Sequence, residues 1–422
     1  MNKANIIKWD IPNDQNARDN DMNQWFAHSN SKRSHCLTAN FRGGRKEALI
    51  KLKSVNGETY GKTRNFLKGD VTHLSPYLRH GCISIPEAVN EVRERFGNQA
   101  EKLLNEFAWR EYWRTVWYAY GDAIMHDMQA PKVKLSYNVL ADDIQSASTG
   151  LPCMDSFITE LAEIGYLHNH ARMWLAAYIV HWRRTDWQQG AQWMHDQLLD
   201  GDYASNHLSW QWISSTFSHK PYFFNQENLA KYSQNQYCES CKAHCPFKAS
   251  YSELEQRLFE PSQQLAREYT LNNAADVDLP VGDQTFVWVH DEMLNSEHSL
   301  LQLPHKKLFI FDTDYYHDWS ILRLQFMADC LLEMPNVTVW IGKTSTVLAH
   351  LKTQHIITQD TPNQQLKRLV AGYAITWRPE EKVCTKALSK EDVKSFSKFW
   401  RIASQDFIDS AAKSHPFIRH RN

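Results

Sequence analysis

Glycine and proline are scarce, 15 and 14 of 422 residues. That excludes a collagen-like or low-complexity chain and favours helix. No uninterrupted apolar stretch approaches the ~20 residues that a membrane helix needs. The opening MNKANIIKWD has no apolar core like that of a signal peptide, so a cytoplasmic protein is expected. Neither sign of charge is in excess: 47 Lys and Arg face 48 Asp and Glu. A protein that holds nucleic acid by bulk electrostatics is therefore excluded, and any such contact must be a local patch. No Gly-rich G-x-G-x-x-G or Walker-type loop and no internal repeat is visible.

What is present is ordinary globular material, 42% hydrophobic and 23% charged, long enough for two or three domains. Tryptophan is the exception: of 16, 11 precede residue 250. Indoles in that density form core, stacking surfaces or electron-hopping chains. Eight cysteines without a secretion signal read as reduced thiols or metal ligands.

Residues 1–40 are polar and weakly patterned, which predicts an irregular N-terminal arm. From 41 to 248, segments such as IPEAVNEVRERF and QAEKLLNEFAWREYWRTVWYAYG repeat apolar residues at helical spacing. Residues 249–282 read as a linker. From 283 to 422, five apolar runs (285–290, 307–312, 337–342, 355–360 and 374–379) alternate with helical stretches such as SILRLQFMADCLLE, the pattern of a parallel α/β sheet. The expected fold is mainly α: an all-helical domain followed by a smaller α/β domain.

Glu106, Trp109, Arg110, Trp113 and Trp117 share one helix face. An acid, a guanidinium and three indoles make a poor core, although buried indoles with solvated edge charges give the same pattern. A second helix face carries Asn169, Arg172 and Met173. Asp200-Gly201-Asp202 follows, then Asn206, Trp210 and Trp212. Taken alone, Asp-Gly-Asp is a solvated turn. Thr72-His73-Leu74-Ser75-Pro76 combines hydroxyls with a helix start, suited either to capping or to an anion.

The order and spacing of these pieces resemble the FAD-binding domain of the photolyase/cryptochrome family. The matching segments are GDVTHLSPYLRHGCIS, NEFAWREYW, TGLPCMDSF, GYLHNHARMWLAAYIVHW and TDWQQGAQWMHDQLLDGDYASNHLSWQWISSTF, within about residues 41–228. The resemblance implies that Tyr60, Thr72, Leu74 and Ser75 hold the FAD pyrophosphate. It also implies an Arg172–Asp200 ion pair beside the isoalloxazine ring, with Arg110 and Asp202 close by and Asn206 facing flavin N5. Trp109 and Trp212 would wall a lesion pocket, Glu106 would read the thymine edge, and Asn169 and Met173 would contact the base.

The activity implied by the resemblance is light-driven repair of a flipped-out cyclobutane pyrimidine dimer in UV-damaged DNA by a carbon–carbon lyase. Photolyases take their target out of the base stack, and stacking on aromatic side chains contributes roughly 1–3 kcal/mol per base. Family members acting on (6-4) photoproducts carry two histidines where Asn169 and Met173 stand. A photosensor without repair activity is the main rival.

Three departures stand out. Trp210 and Trp187 match the inner two of the family's three electron-carrying tryptophans. The outermost falls near Lys134, with Tyr137 the nearest substitute. Val71 and His73 stand where the family prefers Thr and Arg. The α/β region comes last instead of first, although FVWVHDEMLNSEHSLL and SFSKFW look like the start and end of the family's antenna domain, so a circular permutation is expected. No antenna pigment is assigned.

Cys238, Cys241 and Cys245 lie close together before Pro246-Phe247. With His244 they make a Cys3His zinc set. With Cys153 upstream they resemble the 4Fe–4S ligands of iron–sulfur bacterial photolyases. Cys36, Cys82, Cys330 and Cys384 are scattered.

Overall fold

The computed structural model describes residues 6–26, 41–267 and 282–408. A run of helices from Arg45–Ser54 to Tyr251–Leu258 forms the helical part, and five strands with helices between and after them follow: β2 (Gln284–Val289), β3 (Lys306–Phe311), β4 (Val337–Ile341), β5 (Thr353–Gln359) and β6 (Ala374–Arg378). These strands coincide with the five apolar runs and pair in parallel, completing a six-stranded sheet with β1 (Ile7–Trp9) in the order β1-β4-β3-β2-β5-β6. No helix among the described residues is long and apolar enough to cross a membrane.

Alternation along the strands separates two faces. Phe286, Trp288, Leu308, Ile310 and Ile356 pack outward with Val347, Leu348 and Leu366. Val287, Val289, Phe309, Phe311, Val339 and Ile341 point the other way, into a core shared with Tyr77, Leu103, Phe107 and Trp117 of the helical part. A separate core holds Met154, Phe157, Trp174, Trp187 and Trp210. The chain crosses from the second core to the first between Leu198 and Leu199, immediately before Asp200-Gly201-Asp202. The carboxylates of that turn therefore stand at the seam between the two cores.

The N-terminal arm differs from the expectation. Ile7–Trp9 adds to the sheet edge as an antiparallel strand on β4, and Gln15–Phe26 is a helix. Three residues are too few to show alternation. The helix hides its inner face because, beside Met22 and Phe26, it buries Arg18, which pairs with Asp329 at 2.7 Å. The expected linker also begins as structure: Ser250 and Glu253 form a capping box for the Tyr251–Leu258 helix. Residues 261–267 then run along the helical part, Gln264 bonding both the N–H and the C=O of Leu135.

Candidate functional site

Asp202 N-caps the Tyr203–Ser214 helix, accepting from Ser205 N at 2.7 Å, which fixes the acidic turn against the helix start. Gly201 is required there, since a Cβ would collide with the Arg323 guanidinium and the His195 carbonyl. Arg172 reaches Asp200 with both terminal nitrogens at 3.0 Å, while its Nε donates to Leu167 O at 2.7 Å. Asp200 is almost fully buried, so the pair is shielded from salt. Arg110 approaches Asp202 at 3.5 Å. Burial pushes the Asp202 carboxyl upward, but Arg110, Arg79 and Arg114 outweigh it and hold it below the usual carboxylate range.

The Glu101–Tyr120 helix thus joins two sets of residues. Arg110 faces the acidic turn. One turn earlier Glu106 is held by Arg64 at 3.1 Å and Lys102 at 3.0 Å. Trp109 lies between them, its ring stacked on Phe396 at 3.8 Å. Trp212 is one of the more exposed large apolar side chains, 37%, and leans on Tyr222. The Trp109 indole contacts Trp113, which in turn touches Phe217 just beyond the Trp212 helix. On the Asn169–Ala177 helix, Asn169 is exposed and its amide contacts the Met173 sulfur at 3.8 Å. His168 and His170 turn inward: His168 caps that helix, and His170 bonds to Asn65 O.

Thr72 Oγ1 accepts from Leu74 N, keeping its own O–H to donate, and Ser75 opens the Ser75–Arg79 helix with Pro76 in its first turn. His73 adopts a left-handed backbone, φ 52°, at a cost of about 1 kcal/mol, and packs on Phe41 and Tyr166. Burial and the Glu106 carboxylate push the Tyr60 phenol up. Burial likewise raises Tyr166, to about 12. Among these groups His168 carries an orphan. Its Nδ1 accepts from His170 N, so its proton sits on Nε2, and that buried atom has no partner. Burial, then the nearby His170, Arg172, His73 and Arg64, push this imidazole down to about 4. A buried N–H beside Arg172 with nothing to donate to fits a ligand bearing acceptor oxygens.

Asn206 is fixed by donation from Nδ2 to Ala191 O at 2.7 Å, which leaves its oxygen as an acceptor. Trp210 is buried against Gly190, where a Cβ would strike its ring. Trp187 is buried and donates Nε1–H to Asp127 at 2.8 Å. Asn206, Trp210 and Trp187 lie on two adjoining helices, Trp187–Gln197 and Tyr203–Ser214.

Cys153, Cys238, Cys241 and Cys245 line one small apolar cavity with Leu151, Tyr237 and Phe247. Burial, with Cys238 and Cys245 adding, raises Cys153 to about 12. Among the described residues no three His, Cys, Asp or Glu side chains stand at metal-ligand spacing. His244 is not among the residues lining that cavity. The four thiols expected as metal ligands therefore share a cavity, but the structure does not bring them together as a metal site.

Several members of the site carry no sequence signal. Arg64, Tyr166 and His168 meet the motif residues only through packing. Arg79 and Arg323 both donate to Gly201 O, at 2.7 and 2.5 Å, and Arg79 pairs with Asp291 at the end of β2. Arg114 spans Glu292 and Glu380, both at 2.6 Å. These contacts join the sheet to the acidic turn across long sequence separations.

The family model described as the FAD binding domain of DNA photolyase matches residues 103–272. A deoxyribodipyrimidine photo-lyase of Streptomyces griseus is 36% identical over 183 residues, covering 42% of this chain and 40% of that protein. A cryptochrome DASH of Danio rerio is 33% identical over 184 residues, 40% of this chain and 35% of that protein. The chain therefore spans 40% or less of the length of these two relatives. A Synechocystis cryptochrome structure is 23% identical with a TM-score of 0.42, covering 47% of this chain and 46% of that one.

Proposed function

We propose that this chain, whose residues 103–272 match the family model of the FAD binding domain of DNA photolyase, is a flavin-dependent DNA photolyase acting on cyclobutane pyrimidine dimers in UV-damaged DNA. The observation that carries the reading is the Arg110–Asp202 contact. It ties the helix face bearing Glu106 and Trp109 to the acidic turn that grips Arg172. A flavin beside Arg172 and a base beside Glu106 would then be neighbours.

Bound reduced FAD supplies the electron on illumination; the protein supplies position and field. Arg172, Asp200 and Asn206 would hold the ring system. The hydroxyls of Thr72 and Ser75 and the His168 N–H would take acceptor oxygens of the cofactor. Trp109 and Trp212 would stack a flipped-out dinucleotide, and Glu106 would accept from its N–H edge. Asn169 and Met173 occupy the helix face where a (6-4) enzyme needs proton-donating imidazoles, which favours cyclobutane dimers. The domain order is read as a permutation, and the four cysteines as ligands of a 4Fe–4S cluster.

The test is repair of UV-irradiated oligothymidine by the purified, reduced protein under blue light. Loss of dimers in the light and not in the dark supports the reading. Flavin-containing protein that leaves dimers untouched makes it a photosensor instead. Flavin-free protein removes both.

A further inference from the structure

Cys82 and Cys330 stand 248 residues apart in the chain, yet the fold sets their Sγ atoms 3.5 Å from each other. Cys82 belongs to the helical part, and Cys330 lies on the Ile321–Leu332 helix of the α/β part. Both are fully buried in the core that the two parts share. The turn carrying Cys82 is held firmly. Its N–H donates to Tyr77 O at 2.8 Å, and its carbonyl accepts from Arg45 Nη1 at 3.3 Å. Gly81, with φ 67°, presses so closely on the Glu292 carbonyl that a Cβ would strike it. On the other side Gly43 lies against Cys330, where a Cβ would run into the Cys330 sulfur and the Phe326 carbonyl.

Each cysteine shares its element with an arginine that grips the acidic turn. Arg79 stands three residues before Cys82. Arg323 stands seven residues before Cys330, two helical turns back on the same face. Both guanidinium groups donate to Gly201 O. A bond between the sulfurs would therefore join the two elements that close on Gly201 from different parts of the molecule. Burial, and then Cys82, push the Cys330 thiol well up. It stays protonated and unreactive until an oxidant reaches the pair.

We propose that Cys82 and Cys330 form a thiol–disulfide switch that locks the helical part to the α/β part. A disulfide holds its sulfurs at about 2.05 Å, so closure draws the two elements together by about 1.5 Å. The oxidant is a hydroperoxide, which enters when the core opens locally. One thiol, as its thiolate, attacks the peroxide oxygen; the O–O bond breaks, an alcohol or water leaves, and a sulfenic acid forms. The second sulfur then displaces the hydroxyl, which departs as water, and the S–S bond closes. The two thiols lose two electrons and two protons, and the hydroperoxide takes both. Neither cysteine is among the flavin or lesion residues proposed above, so the switch stands apart from that reading.

The experiment uses the full chain as purified: wild type, Cys82→Ser and Cys330→Ala, each treated with hydrogen peroxide or kept in dithiothreitol. Free thiols are blocked with iodoacetamide in denaturant, and non-reducing digests are mapped by mass spectrometry. Oxidised wild type should yield a cross-linked peptide pair joining Cys82 to Cys330, which dithiothreitol abolishes. Its melting temperature should rise by roughly 3–5 °C on oxidation, because a link across so long a loop restricts the unfolded chain. Both variants should lose that rise. Peroxide-treated wild type in which Cys82 and Cys330 are both recovered alkylated overturns the proposal, even if neither variant folds. A cross-link that leaves the melting temperature unchanged overturns the lock, as does a rise that persists in either variant.

Discussion

The Trp109 indole lies flat on the Phe396 ring, centroids 3.8 Å apart and planes 8° apart. Phe396 begins the last described helix, Phe396–Ile408, which packs along the Glu101–Tyr120 helix. The wall assigned to the lesion pocket is thus backed by the far end of the chain. Phe396→Ala should cost about 1–2 kcal/mol, the stacking contact plus a share of buried area, measured by urea unfolding. Dimer repair should fall while flavin content holds, because the indole loses its support and the cofactor contacts do not. Unchanged repair would show that Trp109 needs no backing.

Glu106 is already bridged by Arg64 and Lys102. Glu106→Ala should lower the yield of repaired dimer per photon and leave flavin absorbance intact. Loss of FAD from this variant would mean that Glu106 belongs to the cofactor side.

Asp200→Asn is expected to act oppositely. It leaves Arg172 half-buried without its counter-charge, and breaking a buried pair typically costs about 3–5 kcal/mol. Flavin retention on gel filtration should drop sharply. Repair by whatever fraction stays loaded reports whether the pair has a role beyond binding.

Glu111 sets a pH dependence. Burial raises its carboxyl from 4.5 to about 7, against the pull of the Val383 and Cys384 N–H groups it accepts. Below the ordinary value both folded and unfolded forms are protonated and its contribution is intact. As pH rises from there to about 7 the unfolded chain releases the proton while the folded chain keeps it, so folding loses about 3 kcal/mol by pH 8. Comparing urea midpoints of wild type and Glu111→Gln at about pH 5 and pH 8 should show that part of the slope vanish. An identical slope in both would place the titrating group elsewhere.

Cys245→Ser tests the cysteine cavity. If Cys153, Cys238, Cys241 and Cys245 bind a cluster, wild-type protein purified without oxygen should carry a broad brown absorbance and iron, and the variant should lack both. The expected consequence is local, a lower melting temperature with flavin unchanged, since the cavity belongs to the core of Met154 and Trp174.

Much of the fold could be read along the chain. The strands β2 to β6 announced themselves because their apolar residues come in short, dense runs. The site motifs did so because helical spacing puts Asn169 beside Met173 and Glu106 beside Arg110 without help from elsewhere. The N-terminal strand and helix stayed hidden because Ile7–Trp9 is too short for a period, and because Arg18 is buried with a partner on a distant helix.

Local periodicity by itself determined which residues share a face, and therefore the helical and sheet-forming halves and the two stripes that meet at Asp200-Gly201-Asp202. Only the folded chain decided what those stripes meet. Arg79 and Arg323 on the Gly201 carbonyl, Phe396 on Trp109, and Arg267 between Tyr137 and Trp187 all join residues far apart in sequence. A charge or a ring has no periodicity that names its partner. It is placed by close packing of two cores whose surfaces are complementary only once both have formed.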